Sequence, residues 1–441
     1  MMKNLLIATL FFSLFSPNLF SKTLTIDKLV AYGLEHSTVV KKSKAEIALA
    51  QARRKESKAA RLGSIDLVGS YTHYNLPRTL APLTPASILT DPTGVPTTKD
   101  LFGTGVMYTV PLFTGFAQTR QVEIDALAEE LAQSKLTLTK EQLAYNVSSL
   151  YLSILALQEM QQAQRRHVAA LKRLTEIVRK EVSLGKKAEV DLLKAENDLY
   201  GNISYEETLK ANIAMTKSSL AALVGMKKID KIQPIKVSVK RPSYSVDDLL
   251  RRADSLYKVR IAELYVKKSE KMIQKSQSAR YPQVSLNSYY GYNYGENDSS
   301  NKYPDDFNSE KNWQIGLNAK WTLYDFGKND AATQRAKIAK MEATFEKQQV
   351  LRDLRKSLIE AYAKMKQAYA NYRGNTKQYA LAKKSAKIEE VRYQSGVSTI
   401  NDLLYAKSQV HIAKAKLIES KYNYQKAKFY MDYLLEKGVK E

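Results

Sequence analysis

The chain has 441 residues, a formal net charge of +24 and no cysteine. That length suffices for a large core or for several elongated elements. The absence of thiols excludes disulfides, thiol catalysis and a lipid-modified cysteine behind a signal peptide. The basic excess is the usual footprint of nucleic-acid binding. Here, however, lysines are dispersed along helix-like stretches with acids between them, which suits a solvated helical surface or one facing anionic lipid.

The N-terminus, MMKNLLIATLFFSLFSPNLFS, holds one Lys, an apolar run from Leu5 to Leu14 and small residues at Ser16 and Ser21. The run is too short to span a bilayer, so residues 1–21 read as a signal peptide, with the mature chain starting near Lys22. Export again opposes a nucleic-acid partner. No later stretch approaches about eighteen continuous apolar residues, so any later membrane span must be made of strands.

A helix is predicted over 25–61, with Thr25 as its cap. Strands follow at about 64–74 and 102–113, joined by a Pro- and Thr-rich loop over 75–101. Residues 112–233 and 305–441 lack proline, which inside a helix costs about 3 kcal/mol, so both stretches favour long helices. Leu143, Val147, Leu150, Ile154 and Leu157 step by four and three. After the polar positions Gln161 and Gln164 the rhythm resumes at Val168, Leu171, Leu174, Val178 and Val182, a heptad-like seam. A helix over 115–183 would be a rod of roughly 100 Å. A tight turn, a helix over 187–224 and a linker over 226–244 complete this half.

The second half reads the same way: a helix over 245–280, a strand at about 283–294, a loop rich in Asn, Asp and Ser over 295–311, a strand at about 312–324, and helices over 328–394 and 398–436. The last strand has the clearest alternation. Trp313, Ile315, Leu317, Ala319, Trp321 and Leu323 share one face; Gln314, Gly316, Asn318, Lys320 and Thr322 share the other. Trp313 and Trp321 are the chain's two tryptophans. At strand rise they lie roughly 26 Å apart, the height of a barrel's apolar band between its aromatic girdles. Both are therefore expected in the membrane girdle, with the tyrosines at 71, 74, 289, 290, 292 and 294 beside them.

The halves are copies. Leu112 and Leu323, Tyr151 and Tyr362, Gly185 and Gly396, and Asp191 and Asp402 are each 211 residues apart. The domain reading is thus 1–21 signal peptide, 22–225 first repeat, 226–244 linker and 245–438 second repeat. Two hairpins supply four strands, too few to enclose a lumen. An open edge in lipid leaves backbone groups unpartnered, so the barrel must be shared between chains. Closure alone permits eight, twelve or sixteen strands from two, three or four copies.

Catalysis finds no support. The four histidines show no metal-ligand spacing, and no nucleotide-binding, zincin or nucleophile-elbow motif occurs. No enzyme activity, cofactor or metal is expected. Gly185 and Gly396 suit helix–turn–helix corners that need a left-handed residue. Asp191 and Asp402 both suit the first turn of a helix, where an acid complements the helix dipole.

The duplicated pattern, VPLFTG at 110–115, WTLYDFG at 321–327, and the glycine-to-DLL-x-A turns at 185–195 and 396–406 together resemble the TolC-like outer membrane efflux proteins, over essentially all of 22–438. The resemblance implies an α+β membrane protein: a long α-helical coiled-coil barrel plus a transmembrane β-barrel shared between protomers, twelve-stranded in a homotrimer. It implies a location in the outer membrane, among its lipid, extending into the periplasm. The implied function is that of a passive exit duct for efflux pumps or type I secretion, working with a periplasmic adaptor and an inner-membrane transporter of RND or ABC type.

The same resemblance implies adaptor contact at the tips, Val182, Gly185 and Lys186 in one and Gly396, Val397 and Ser398 in the other. It implies a gate at Asp402 and Tyr393. Asp402 would form a ring of carboxylates that repel one another and raise their apparent pKa. Two positions depart from the family pattern: Tyr405 stands where a second ring aspartate is expected, and Ser398 where a gate arginine is expected. The rival reading is a non-conducting periplasmic or outer-membrane coiled-coil scaffold or adhesin, which would need no lipid-facing strands.

Overall fold

The computed structural model describes residues 24–80, 82–90, 95–298 and 307–438. The expected signal peptide lies outside them. The chain forms two compact units. One comprises residues up to 41 together with 138–253 and 354–441; the other comprises 42–137 and 254–353.

The second unit carries the strands β1 (Ser64–Thr79), β2 (Thr97–Thr114), β3 (Gln283–Glu296) and β4 (Phe307–Lys320), antiparallel in the order β1-β2-β3-β4. Register places Leu67 opposite Val106, Val106 opposite Tyr290, and Tyr290 opposite Trp313. In the next row lie Ile65, Tyr108, Ser288 and Ile315. One face of the sheet is therefore apolar. The other carries Asp66, Ser70, Asn287, Asn293, Gln314 and Asn318, as strand alternation requires. The apolar face is open: Trp313 is 63% and Leu317 68% exposed.

The strands differ from expectation at their ends. β1, β2 and β3 run further than predicted, and a short helix α3 (Pro85–Thr90) sits in the first loop, with Pro85 at a position that needs no N–H. β4 stops at Lys320, so Trp321 lies just beyond the strand and the two tryptophans do not bracket a single strand. In the β3–β4 register the partner of Trp321 would be Pro282, which has no N–H to continue the ladder. The Trp321 indole instead donates to the Arg280 carbonyl at 3.1 Å.

The helices are α1 (Ile26–His36), α2 (Thr38–Ala59), α4 (Ala117–Ser183), α5 (Glu189–Val224), α6 (Val246–Ala253), α7 (Tyr257–Gln277), α8 (Lys328–Gln394) and α9 (Ile400–Leu434). α4 and α8 have 67 residues each, as proline-free heptad sequence dictates. The leading helix of each copy is not continuous. The first breaks at the buried, extended Ser37, where a run of β-branched residues begins. The second breaks over 254–256, and α7 restarts behind the extended Leu256, which offers no capping side chain. No described helix is long and apolar enough to cross a membrane.

In the first unit the predicted seam is buried at Leu143, Val147, Ile154, Leu171, Leu174 and Val178 of α4, and α8 supplies Leu354, Leu358, Ala361 and Met365. Gln164, fully buried in this seam, donates to the Asn202 carbonyl at 2.7 Å and to its side-chain oxygen at 3.1 Å. The linker joins Leu24 to Ile232 by a parallel bridge, and the Tyr151 hydroxyl donates to the Leu24 and Gln233 carbonyls.

Candidate functional site

The two helix–turn–helix tips share one backbone solution. At the end of α4, the N–H of Gly185 donates to Val182 and that of Lys186 to Glu181; at the end of α8, Gly396 donates to Tyr393 and Val397 to Arg392. These paired bonds satisfy the last carbonyls of each helix and require a left-handed residue. Gly185 has φ +71° and Gly396 φ +72°, with open space where a Cβ would lie. Glycine is needed there for its backbone freedom, not for room.

After the turns the tips diverge. Thr399 caps α9: its hydroxyl accepts from the Asp402 N–H at 3.2 Å, while Asp402 Oδ2 accepts from the Thr399 N–H at 3.0 Å. The Thr399 hydroxyl also donates to that carboxylate oxygen at 2.7 Å. This reciprocal box holds the Asp402 carboxyl below the usual range, the Thr399 hydroxyl acting most and its N–H next. The matching residue of the first copy is Ala188, which has no capping side chain. Asp191, expected to be the equal of Asp402 as a first-turn acid, therefore has no such box; its N–H donates to the Ala188 carbonyl.

Tyr393 is buried with Leu174, Val178, Ile400 and Leu403, and Lys187 Nζ sits 4.6 Å from its ring centre. Burial pushes its hydroxyl pKa up, aided by Glu181 and Asp191. That hydroxyl is buried with no hydrogen-bond partner, and so are Ser398 Oγ, Glu181 Oε2 and Glu389 Oε1. Tyr405 is 68% exposed and lines a groove of about 310 Å³ with Glu389, Arg392 and Asp402.

The structure thus brings Asp402 and Tyr405 together in one groove and sets Tyr393 in the core behind them. Val182 packs beside that core, while Val397 is exposed. Arg392 and Glu389 were not singled out from the sequence. Arg392 sits in the groove with Asp402 and lowers its pKa, so a guanidinium is present although Ser398 stands where one was expected. Its position next to Tyr393, three residues after Glu389, was the available signal.

The sequence model for the family described as "Outer membrane efflux protein" matches residues 32–226 and 251–431. The curated "Outer membrane protein TolC" of Vibrio cholerae is 23% identical over 337 residues, 75% of this chain and 75% of that protein. Among solved structures, a membrane protein from Pseudomonas aeruginosa superposes with a TM-score of 0.78 at 14% identity, covering 94% of this chain and 91% of its own. The outer membrane protein VceC of Vibrio cholerae gives 0.76 at 16%, covering 93% and 96%. The CmeC outer membrane channel of Campylobacter jejuni gives 0.75 at 16%, covering 94% and 86%.

Proposed function

The chain belongs to the outer membrane efflux protein family, and from that premise we propose that three copies form one exit duct. The family makes it an outer-membrane channel protein and not an enzyme. In our reading the duct conducts substrates passively from a periplasm-spanning pump or secretion system to the exterior. The observation that carries this is the four-stranded sheet. Among the described residues β1 and β4 each pair on one side only, and one face is apolar and open. A sheet with two unpaired edges and a greasy face is costly alone and satisfied by closure in lipid. The number three comes from the resemblance to TolC-like proteins.

In the same reading residues 1–21 are a removed signal, and the repeats 22–225 and 245–438, joined by 226–244, present two tips per copy. Val182, Gly185, Lys186, Gly396, Val397 and Ser398 would meet a periplasmic adaptor. Asp402, Tyr405 and Tyr393 would form the constriction, engaged through that adaptor by an inner-membrane transporter of RND or ABC type. At Asp402 two effects oppose: the Thr399 cap lowers the carboxyl pKa, and a ring of three would raise it.

Single-channel recording tests the reading. The purified full chain, fused into a planar bilayer, should give discrete conductance steps. Correctly assembled protein that leaves the bilayer silent would overturn it in favour of the scaffold.

A further inference from the structure

We propose that Lys187 is a positioning residue of the constriction: its ammonium, seated on the Tyr393 ring, latches the first tip to the second and holds the narrow end of the duct closed. This rests on the reading of Asp402, Tyr405 and Tyr393 as that constriction.

The ion pairs described at the tips stay within their own hairpins. Arg179 pairs with Glu196 at 2.6 Å between α4 and α5, and Lys407 with Glu390 at 2.8 Å between α8 and α9. Arg392 pairs with Glu389 at 3.2 Å within α8. Between the hairpins lies an apolar cluster, Leu174 and Val178 of α4 against Tyr393 of α8 and Ile400 and Leu403 of α9. The cation that crosses from one hairpin to the other is Lys187, with Nζ 4.6 Å from the Tyr393 ring centre. Two acids of the first tip, Glu181 and Asp191, also act on the Tyr393 hydroxyl. A neutral phenol offers them no counter-charge, so the attraction across the tips comes from the cation over the ring.

The turn directs this side chain inward. Leu184, Gly185, Lys186, Ala188 and Glu189 are exposed, whereas Lys187 is half-buried. A lysine commonly lays its stem on apolar surface and keeps its head in water. Here the head itself reaches an aromatic face, which compensates its partial loss of solvent.

The repeat makes the contact one-sided. The 211-residue spacing pairs Lys187 with Ser398 and Tyr393 with Val182. Neither partner has a charged or aromatic counterpart in the other copy, so the first tip grips the second with no equivalent hold in return. The gripped tip carries Asp402 and Tyr405 in its groove. A partner that displaces the first tip therefore acts on the constriction through this contact. Whatever free energy the contact gives the closed form is withdrawn when it breaks, and the population of the open form rises accordingly.

Planar-bilayer recording of the purified full chain tests this with three variants. Lys187→Met keeps an apolar stem and loses the charge, Lys187→Arg keeps a cation, and Lys180→Met removes a charge from an exposed lysine of the same tip. Lys187→Met should raise the fraction of time in the fully open level about two- to tenfold, the range for one cation–aromatic contact. Lys187→Arg and Lys180→Met should stay with the parent chain. Tyr393→Leu should raise the open fraction too, and Lys187→Met should add nothing on top of it. An unchanged Lys187→Met would overturn the inference. So would an Arg variant that opens like Met, a Lys180→Met that opens as much, or additive effects of Lys187→Met and Tyr393→Leu, which would give Lys187 another partner. Should Tyr393→Leu fail to assemble, the Met and Arg variants decide alone. Silence of the parent chain would sink the duct itself, whereas a conducting parent with an unchanged Lys187→Met would sink the latch alone.

Discussion

At the scale of single residues, the two tips separate what a glycine does from what an aspartate does. Gly396 supplies a left-handed turn in open space, so Gly396→Ala should cost about 1–2 kcal/mol from backbone strain alone, with Gly396→Asn milder. Chemical denaturation of the purified protein checks this, and equal effects of Ala and Asn would mean that something other than φ is lost. Asp402 has two roles to separate. If it lines a constriction, Asp402→Ala should change cation block of single channels while Asp191→Ala leaves it unchanged. If it only caps α9, Thr399→Ala should reproduce every effect of Asp402→Ala. The sequence indicated the glycines and Asp402 through their 211-residue spacing. The inequality of the two acids was legible in residue type, since Ala188 cannot cap and Thr399 can; the reciprocal bonds that close the box were not. The buried, unpartnered oxygens of Glu181 and Glu389 were also hidden, since burial of one atom of a charged side chain leaves no periodic trace.

At the scale of elements, alternation decides the cost of a charge. Leu317 lies on the open apolar face and Asn318 on the polar face of β4. Leu317→Arg should destabilise the membrane-inserted protein by about 2–4 kcal/mol near the midplane, with Asn318→Arg near neutral. Refolding into vesicles measures both, and equal damage would mean the faces are misassigned. Between α4 and α9 a different chemistry operates. The rings of His167 and His411 stack at 4.6 Å, nearly parallel. Burial, then His411 and Lys407, push the His167 pKa down to about 4; burial also lowers that of His411. The unfolded chain then binds more protons than the folded one below about pH 6.5, so stability should fall as pH drops from there towards 4. His167→Gln should flatten that part of the pH–stability curve, and an unchanged curve would refute the assignment. Long helices and strands were legible because their periods persist for many residues. The helix breaks and the early end of β4 were not, since each depends on one local event: the β-branched run after Ser37, the extended Leu256 ahead of α7, and Pro282 across the ladder from Trp321.

At the scale of the whole molecule, the open question is how many copies close the sheet. The absence of cysteine makes this directly measurable, because any disulfide must come from introduced thiols. With one cysteine on β1 as Ser70→Cys and a second scanned along β4 at Asn312, Gln314, Gly316 and Asn318, every partner lies on the polar face of its strand. Cysteines whose Cα atoms lie more than about 7 Å apart cannot bridge, so only the scanned position in register with Ser70 of a neighbouring copy should react. β1 and β4 are the outer strands of the four, with two strands between them, so a bond within one chain is out of reach. Oxidation should therefore build covalent dimers and trimers at one or two positions of the scan and stop at three, with closed rings dominating when oxidation is complete. A ladder that ends at two or runs to four would refute the twelve-stranded barrel while leaving closure intact. Monomers alone at every position would mean that β1 and β4 do not meet across copies, and the shared barrel itself would fall.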